Sequence, residues 1–246
     1  IGIAMGIKGS DVSKQASDMV LVDDNFETIA EAIREGRRIF DNLKKTILFY
    51  LPTCLAQGLL LIVSMMANLP IPLTTVQILW LNMVASITLS YALGFEAPHK
   101  NIMKRNPRNM NEKIISKYVL FKIVYVAMFI TLFGYLAMNL FTQEPIRQTV
   151  LINAIVFGQA LYMINCREFV DFSLSKRMLD NKALMYSLMT MIVLQLIMIY
   201  IPAASMVLGT IRLTLPQFIV SIIPAIALFG AVELEKKVTK IFINKK

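Results

Sequence analysis

The sequence predicts a mainly α fold, a six-helix transmembrane bundle preceded by a short soluble α/β segment. Three observations predict it. Only 17% of the 246 residues are charged while 57% are hydrophobic, against about 25% charged in ordinary soluble domains. Six apolar runs follow one another, each near the twenty or so residues that cross a hydrocarbon core. Lys and Arg gather in alternate connections between those runs, as they do where loops stay on the inner side of a membrane.

Residues 1–24 read as soluble. Ile1 to Met5 has the character of a short strand, Gly6 to Ser10 of a turn, Asp11 to Ser17 of a short helix capped by Ser10 or Asp11, and Met19 to Val22 of a second strand. Two short strands do not make a domain. They read as the end of an α/β sheet whose other strands lie upstream, and the abrupt opening inside a strand points to a longer chain. Gly2, Gly6 and Gly9 with Lys8 and Ser10 are out of order for a phosphate loop, so that reading is rejected.

The central element is a continuous helix over about 25–66. Asp24 or Asn25 is placed to cap it, with Glu27 and Glu31 near the positive end of its dipole. Only Gly36 weakens it before Lys45, by about 1 kcal/mol. Roughly forty residues make a rod of about 60 Å, twice the thickness of a hydrocarbon core. Residues 25–45 are charged and form a stalk. The apolar run begins at about 46.

The spans read as about 46–66, 73–95, 118–140, 149–166, 183–206 and 215–234, with 235–246 as a tail. The connections after the second, fourth and sixth carry most of the Lys and Arg, whereas those after the first, third and fifth hold only Arg147 and Arg212. Both ends of the segment are therefore expected in the cytoplasm. The same placement assigns the net charge of +9 to membrane topology rather than to nucleic acid. Cys54 and Cys166 lie in apolar stretches, so no disulfide framework is expected. Pro52, Pro202 and Pro224 fall inside the spans, and each frees a carbonyl one turn earlier that needs another partner at membrane depth.

No Asp, Glu, Lys, Arg or His lies at the centre of the first two spans. They hold Thr53, Cys54 and Gln57 in the first and Asn82, Ser86 and Thr88 in the second. Thr53 and Gln57 share a helix face, as do Asn82 and Ser86. Two readings fit these groups: oxygen ligands for a cation, or interhelical hydrogen bonds worth about 0.6 kcal/mol each. Asn153, Gln159 and Asn165 in the fourth span and Gln195 in the fifth present the same choice. Trp80 reads as an interface anchor or a packing residue.

Particular stretches then resemble one family. Gly2-Ile3-Ala4-Met5-Gly6 and Ala16-Ser17-Asp18-Met19-Val20-Leu21-Val22-Asp23-Asp24-Asn25-Phe26 are similar to the end of the phosphorylation domain of P-type ATPases. Glu35-Gly36-Arg37-Arg38-Ile39-Phe40-Asp41-Asn42-Leu43-Lys44-Lys45 resembles the stalk that enters their fifth membrane helix. Val76-Gln77-Ile78-Leu79-Trp80-Leu81-Asn82-Met83-Val84 and Ala92-Leu93-Gly94-Phe95-Glu96 resemble the sixth, and Ile102-Met103 with Pro107-Arg108 the loop after it. The likeness is closest to the type II branch, which contains the calcium pumps.

The resemblance implies that residues 1–24 end a cytoplasmic phosphorylation domain. It implies that 25–45 is a stalk helix and that 46–234 holds the last six membrane helices of an ATP-driven cation pump of the cell membrane. The aspartate that takes phosphate, the nucleotide and actuator domains, the sites for ATP and Mg2+ and four further membrane helices are then expected upstream in the same polypeptide. The segment alone is expected to be inactive. In calcium pumps the fifth helix supplies an Asn and, three residues on, a Glu; the aligned positions here are Cys54 and Gln57. Asn82 matches the sixth helix, but the Thr-Asp pair after it becomes Ala85-Ser86. Gln159 aligns with a glutamine of plasma-membrane-type calcium pumps. The residue reading and the resemblance together give Gln57, Asn82, Ser86, Thr53 and Gln159 as candidate cation-pathway residues, Thr53 from its shared helix face alone. Two missing carboxylates favour a monovalent cation, or one divalent ion leaning on upstream ligands. The alternatives from other classes are a six-span channel or secondary carrier, which calls for repeats that are absent here, and a non-pumping scaffold.

Overall fold

The computed structural model describes residues 1–99, 101–107, 114–169, 172–174 and 181–243, with 85–87 and 242–243 in backbone only. The Ser86 side chain, Arg108 and residues 244–246 of the basic tail lie outside the described part. The chain divides into two units, residues 1–41 with 97–110 and residues 42–96 with 111–246.

In the first unit strand β1 (Ile3–Met5) pairs in parallel with β2 (Met19–Leu21), Ile3 opposite Met19 and Met5 opposite Leu21. Helix α1 (Asp11–Ala16) crosses between them, capped by the Ser10 hydroxyl. Gly6 is required where β1 ends, because a Cβ there would lie 2.5 Å from the Leu21 carbonyl oxygen; one on Gly9 would lie 2.1 Å from that of Met5. The turn between them is closed by its own chain. Gly6 donates to Leu21, Gly9 donates to Met5, and the amides of Ile7 and Lys8 donate to the Asp24 carboxylate, each at 2.9 Å. Those amides, the Ile7 bond foremost, hold the Asp24 carboxyl below its ordinary value.

Asp24 is therefore not the cap of the long helix. It sits at φ 51 with its side chain turned back to the 6–8 turn. The alternative, Asn25, accepts from the Glu27 amide at 3.0 Å. Helix α2 then runs unbroken over Glu27–Met66, forty residues with Pro52 inside. In the first unit Arg37 on α2 donates to the carbonyls of Ile102 and Arg105 at 2.8 and 3.0 Å, and Arg105 pairs with Asp41 at 2.8 Å.

Six helices are long and apolar enough to cross a membrane among the described residues: α2, the run Thr75–Gly94, α5 (Lys117–Met138), α6 (Glu144–Cys166), α7 (Lys182–Tyr200) and α9 (Leu215–Ile243). In the second unit α6 is central, with 89% of its apolar window buried against 22% for α7 and α9. The second span starts at α3 (Thr75–Met83), where Thr74 and Gln77 cap each other reciprocally. It passes through a π-helical stretch at Val84–Ser90 and finishes as α4 (Tyr91–Gly94).

One expectation is corrected: Pro202 does not lie inside a span. The residue before a proline is pushed out of the α region while proline itself suits a first helical position. Ile201 is accordingly extended, and a separate helix α8 (Pro202–Leu208) starts at Pro202. The Met198 carbonyl, one turn before Pro202, accepts from the Thr210 hydroxyl at 2.6 Å. Pro52 follows the same logic inside α2. The carbonyl it frees is that of Leu48, which accepts from the Tyr162 hydroxyl at 2.9 Å. Tyr162 is fully buried on α6, so the bond straps α6 to α2. Tyr162→Phe is expected to lower stability by about 1–3 kcal/mol, since it strands a carbonyl away from water. Thermal unfolding in detergent checks this against Tyr186→Phe, whose ring is exposed.

Buried ions hold one end of the bundle. Lys122 on α5 pairs with Glu235 at 2.9 Å. Lys236 pairs with Glu233 at 2.8 Å and donates to the Asn165 carbonyl at 2.7 Å. Ser173 donates to Glu233 at 2.7 Å. The basic clusters flanking the fourth and sixth spans are thus not all solvated: Arg167 and Lys236 are each 1% exposed.

Candidate cation pathway

The amides at membrane depth fall into two groups. Trp80 donates its indole N–H to Gln195 at 3.2 Å, Gln195 to Asn153 at 3.3 Å, Asn153 to Ser221 at 2.5 Å, and Ser221 to the Phe218 carbonyl at 2.6 Å. This ladder crosses the second, fifth, fourth and sixth spans and makes Trp80 a packing residue. Asn165 donates to Glu233 at 2.6 Å. Gln77 donates to the Leu208 carbonyl at 2.9 Å. These side chains are interhelical fasteners.

Asn165 nonetheless leaves its Oδ1 buried and unpartnered among the described residues, a condition it shares with Gln57, Asn82 and Gln159. Gln57 on α2 is 4% exposed, and its Nε2 has no hydrogen-bond partner among the described residues. Asn82 on α3 leaves Oδ1 buried and without a partner among the described residues. Gln159 on α6 is 0% exposed, and neither Nε2 nor Oε1 has a partner among the described residues. A buried amide group without a partner costs about 1–3 kcal/mol unless water or a ligand satisfies it. Thr53 is also buried, but its hydroxyl donates to the Tyr50 carbonyl at 2.8 Å within its own helix.

The packing relates the helices that carry these amides rather than the amides themselves. The α3 helix and the π-helical stretch both pack directly on α6, and α2 is bonded to α6 through Tyr162. Asn82 stands two residues before the π-helical stretch, a local widening common at functional sites. Within it Thr88 donates to the Val84 carbonyl at 2.5 Å.

The Gln57, Asn82 and Gln159 side chains are themselves uncharged amides. No group of three or more His, Cys, Asp or Glu side chains able to hold a metal exists among the described residues. In the 6–8 turn the Ile7 and Lys8 amides are taken by the Asp24 carboxylate.

Reading by residue type missed a second cluster at the end of the second span. Glu96, 5% exposed, meets the Arg167 guanidinium at 2.6 Å and accepts from Asn181 at 2.7 Å. Burial pushes its carboxyl up, but Arg167, Asn181 and Lys45 together outweigh burial and leave it below its ordinary value. The available signal was position: Glu96 and Arg167 each immediately follow an apolar run.

Comparison with known proteins agrees with this architecture. The family described as "Cation transporting ATPase, C-terminus" matches residues 70–238. The chain is 34% identical over 236 residues to the cation-transporting ATPase pma1 of Synechocystis, covering 92% of this chain and 26% of that protein. It is 33% identical over 246 residues to a calcium-transporting ATPase of Bacillus subtilis, covering 96% and 28%. It is 35% identical over 220 residues to the calcium-transporting ATPase type 2C member 2 of Rattus norvegicus, covering 87% and 23%. The chain spans about a quarter of the length of these relatives. Six apolar helices, in a sequence matched this widely, make it a multi-pass membrane segment that belongs to the P-type cation-transporting ATPases as part of their C-terminal region.

Proposed function

We propose that this chain is the cation-carrying membrane portion of an ATP-driven pump, and that Gln57, Asn82 and Gln159 line the pathway, with Ser86 and Thr53 beside them. The observation that carries the proposal is the set of amide atoms on α2, α3 and α6 that are buried without partners among the described residues. In the intact protein ATP and Mg2+ bind upstream, in domains of the same polypeptide that end at residues 1–24 of this chain. Phosphorylation of an upstream aspartate moves that head. The unbroken helix α2 carries the movement from the stalk to Gln57 and switches the ion's access between the two sides. Both ends of the segment lie in the cytoplasm and the pump sits in the cell membrane. The segment alone hydrolyses no ATP.

The absence of carboxylates favours sodium, potassium or a single divalent ion completed by ligands from upstream helices. ATPase activity of the full-length protein, screened against sodium, potassium, calcium, magnesium, manganese and protons, tests this. Stimulation by one cation is expected. Hydrolysis indifferent to every cation would remove the pump, and ion flux without ATP would favour a channel or carrier.

A further inference from the structure

The chain passes between its two units at 41/42 on helix α2 and again at 96/97, just beyond the second span. The first residue on the membrane side of one crossing grips the other. Asn42, 4% exposed, donates from Nδ2 to the Gly94 carbonyl and to the Glu96 carbonyl, both at 2.9 Å. Gly94 is the last residue of α4, and the closing carbonyls of a helix have no partner within it. A single amide therefore completes the end of the second span from the side of the first.

The same end is held from two further helices. The Glu96 carboxylate receives Arg167 Nε at 3.1 Å and Nη2 at 2.6 Å, from the end of α6. It also receives Asn181 Nδ2 at 2.7 Å, and Asn181 Oδ1 in turn caps α7 by accepting from Leu184 at 3.0 Å. Arg167 is among the largest fully buried side chains. Such a geometry leaves the backbone around Gly94 to Glu96 little freedom to slide against α2.

We infer that Asn42, with the Glu96–Arg167 pair behind it, is a positioning residue that locks the first two spans in one register during transport. The inference rests on the pump reading. Asn82 lies twelve residues from Gly94, about 18 Å along its helix, and Gln57 lies fifteen from Asn42, about 22 Å along the other. Both candidate ligands thus ride on helices clasped at the same end. When α2 moves, the clasp carries the second span with it, and Gln57 and Asn82 keep their relative depth. Without it α2 moves while Asn82 lags, so the cation is held weakly and hydrolysis proceeds without delivery.

The test is transport by the full-length protein in proteoliposomes, assayed with sodium, potassium, calcium and manganese. The wild type comes first: if it carries none of them with ATP, the pump reading has failed, whatever the variants do. With the wild type active, Asn42→Ala is expected to go on hydrolysing ATP while the cations carried per ATP fall severalfold. The half-saturating cation concentration is expected to rise about tenfold, the scale of two ordinary hydrogen bonds. The ratio is counted per turnover, so loss of folded protein does not move it. Asn42→Asp, which keeps the volume and removes both N–H donors, reads the same ratio if Asn42→Ala accumulates poorly. A wild-type ratio and half-saturation in whatever protein folds would overturn the inference and leave Asn42 a strut.

Discussion

Gln57→Ala in the full-length protein is expected to abolish cation-stimulated ATPase activity while the folded protein reaches the membrane in wild-type amount. The two halves of that expectation have separate causes. Activity is lost because α2 has no other amide at that depth, and Thr53 has already given its hydroxyl to Tyr50. Stability survives because the native side chain leaves Nε2 buried without a partner among the described residues. Removing an unsatisfied amide recovers about 1–3 kcal/mol, which offsets much of the 2–5 kcal/mol or so that truncating a large buried side chain costs. Gln57→Leu keeps the volume and should be as inactive and more stable. ATPase titrated with the activating cation, alongside thermal unfolding of the same samples, gives both readings. Unaltered cation dependence in either variant would take Gln57 out of the pathway.

The helices were legible because the bilayer imposes a length. Six apolar runs near twenty residues leave few alternatives, and the continuity of α2 follows from Gly36 being the single weak helix former before Lys45. Where propensity met a local backbone rule, the rule prevailed. Pro202 sits among apolar residues that read as one span through 206, yet Ile201 had to leave the helix before it. The π-helical stretch at Val84–Ser90 left no mark on composition, since one wide turn changes no residue type.

Side-chain pairing was the least legible layer. Asn153, Gln195, Gln57 and Gln159 are equivalent by type and depth. Only packing shows that the first two bond each other at 3.3 Å while the others keep unpartnered atoms. Charges at span ends were similarly opaque. Lys236 belongs by sequence to a basic tail, but the Glu233–Lys236 spacing puts both on one helix face toward Asn165 and Ser173. A charge one residue beyond an apolar run is read as solvated unless its partner, here distant in sequence, is known.

Arg167→Met should be the most destabilising single change at the membrane boundary, by about 3–5 kcal/mol, because it leaves a buried carboxylate without its main partner. Methionine fills much of the same volume, so the loss is electrostatic rather than a cavity. Adding Glu96→Gln to Arg167→Met removes the stranded charge and is expected to restore most of the loss. The effect of pH separates this from a packing defect. In the wild type the Glu96 carboxyl lies below its ordinary value, burial being outweighed chiefly by Arg167. Its stabilisation is therefore present above the unfolded carboxylate pKa of about 4.3 and is lost as pH falls through the lower folded value. In Arg167→Met burial is less opposed and the folded value rises, so that variant gains stability as pH falls through the raised value. The difference in unfolding temperature between the two proteins should shrink from about pH 8 to about pH 5. A difference that is constant across that range, or a double variant no more stable than Arg167→Met, would show that Arg167 acts there by filling space.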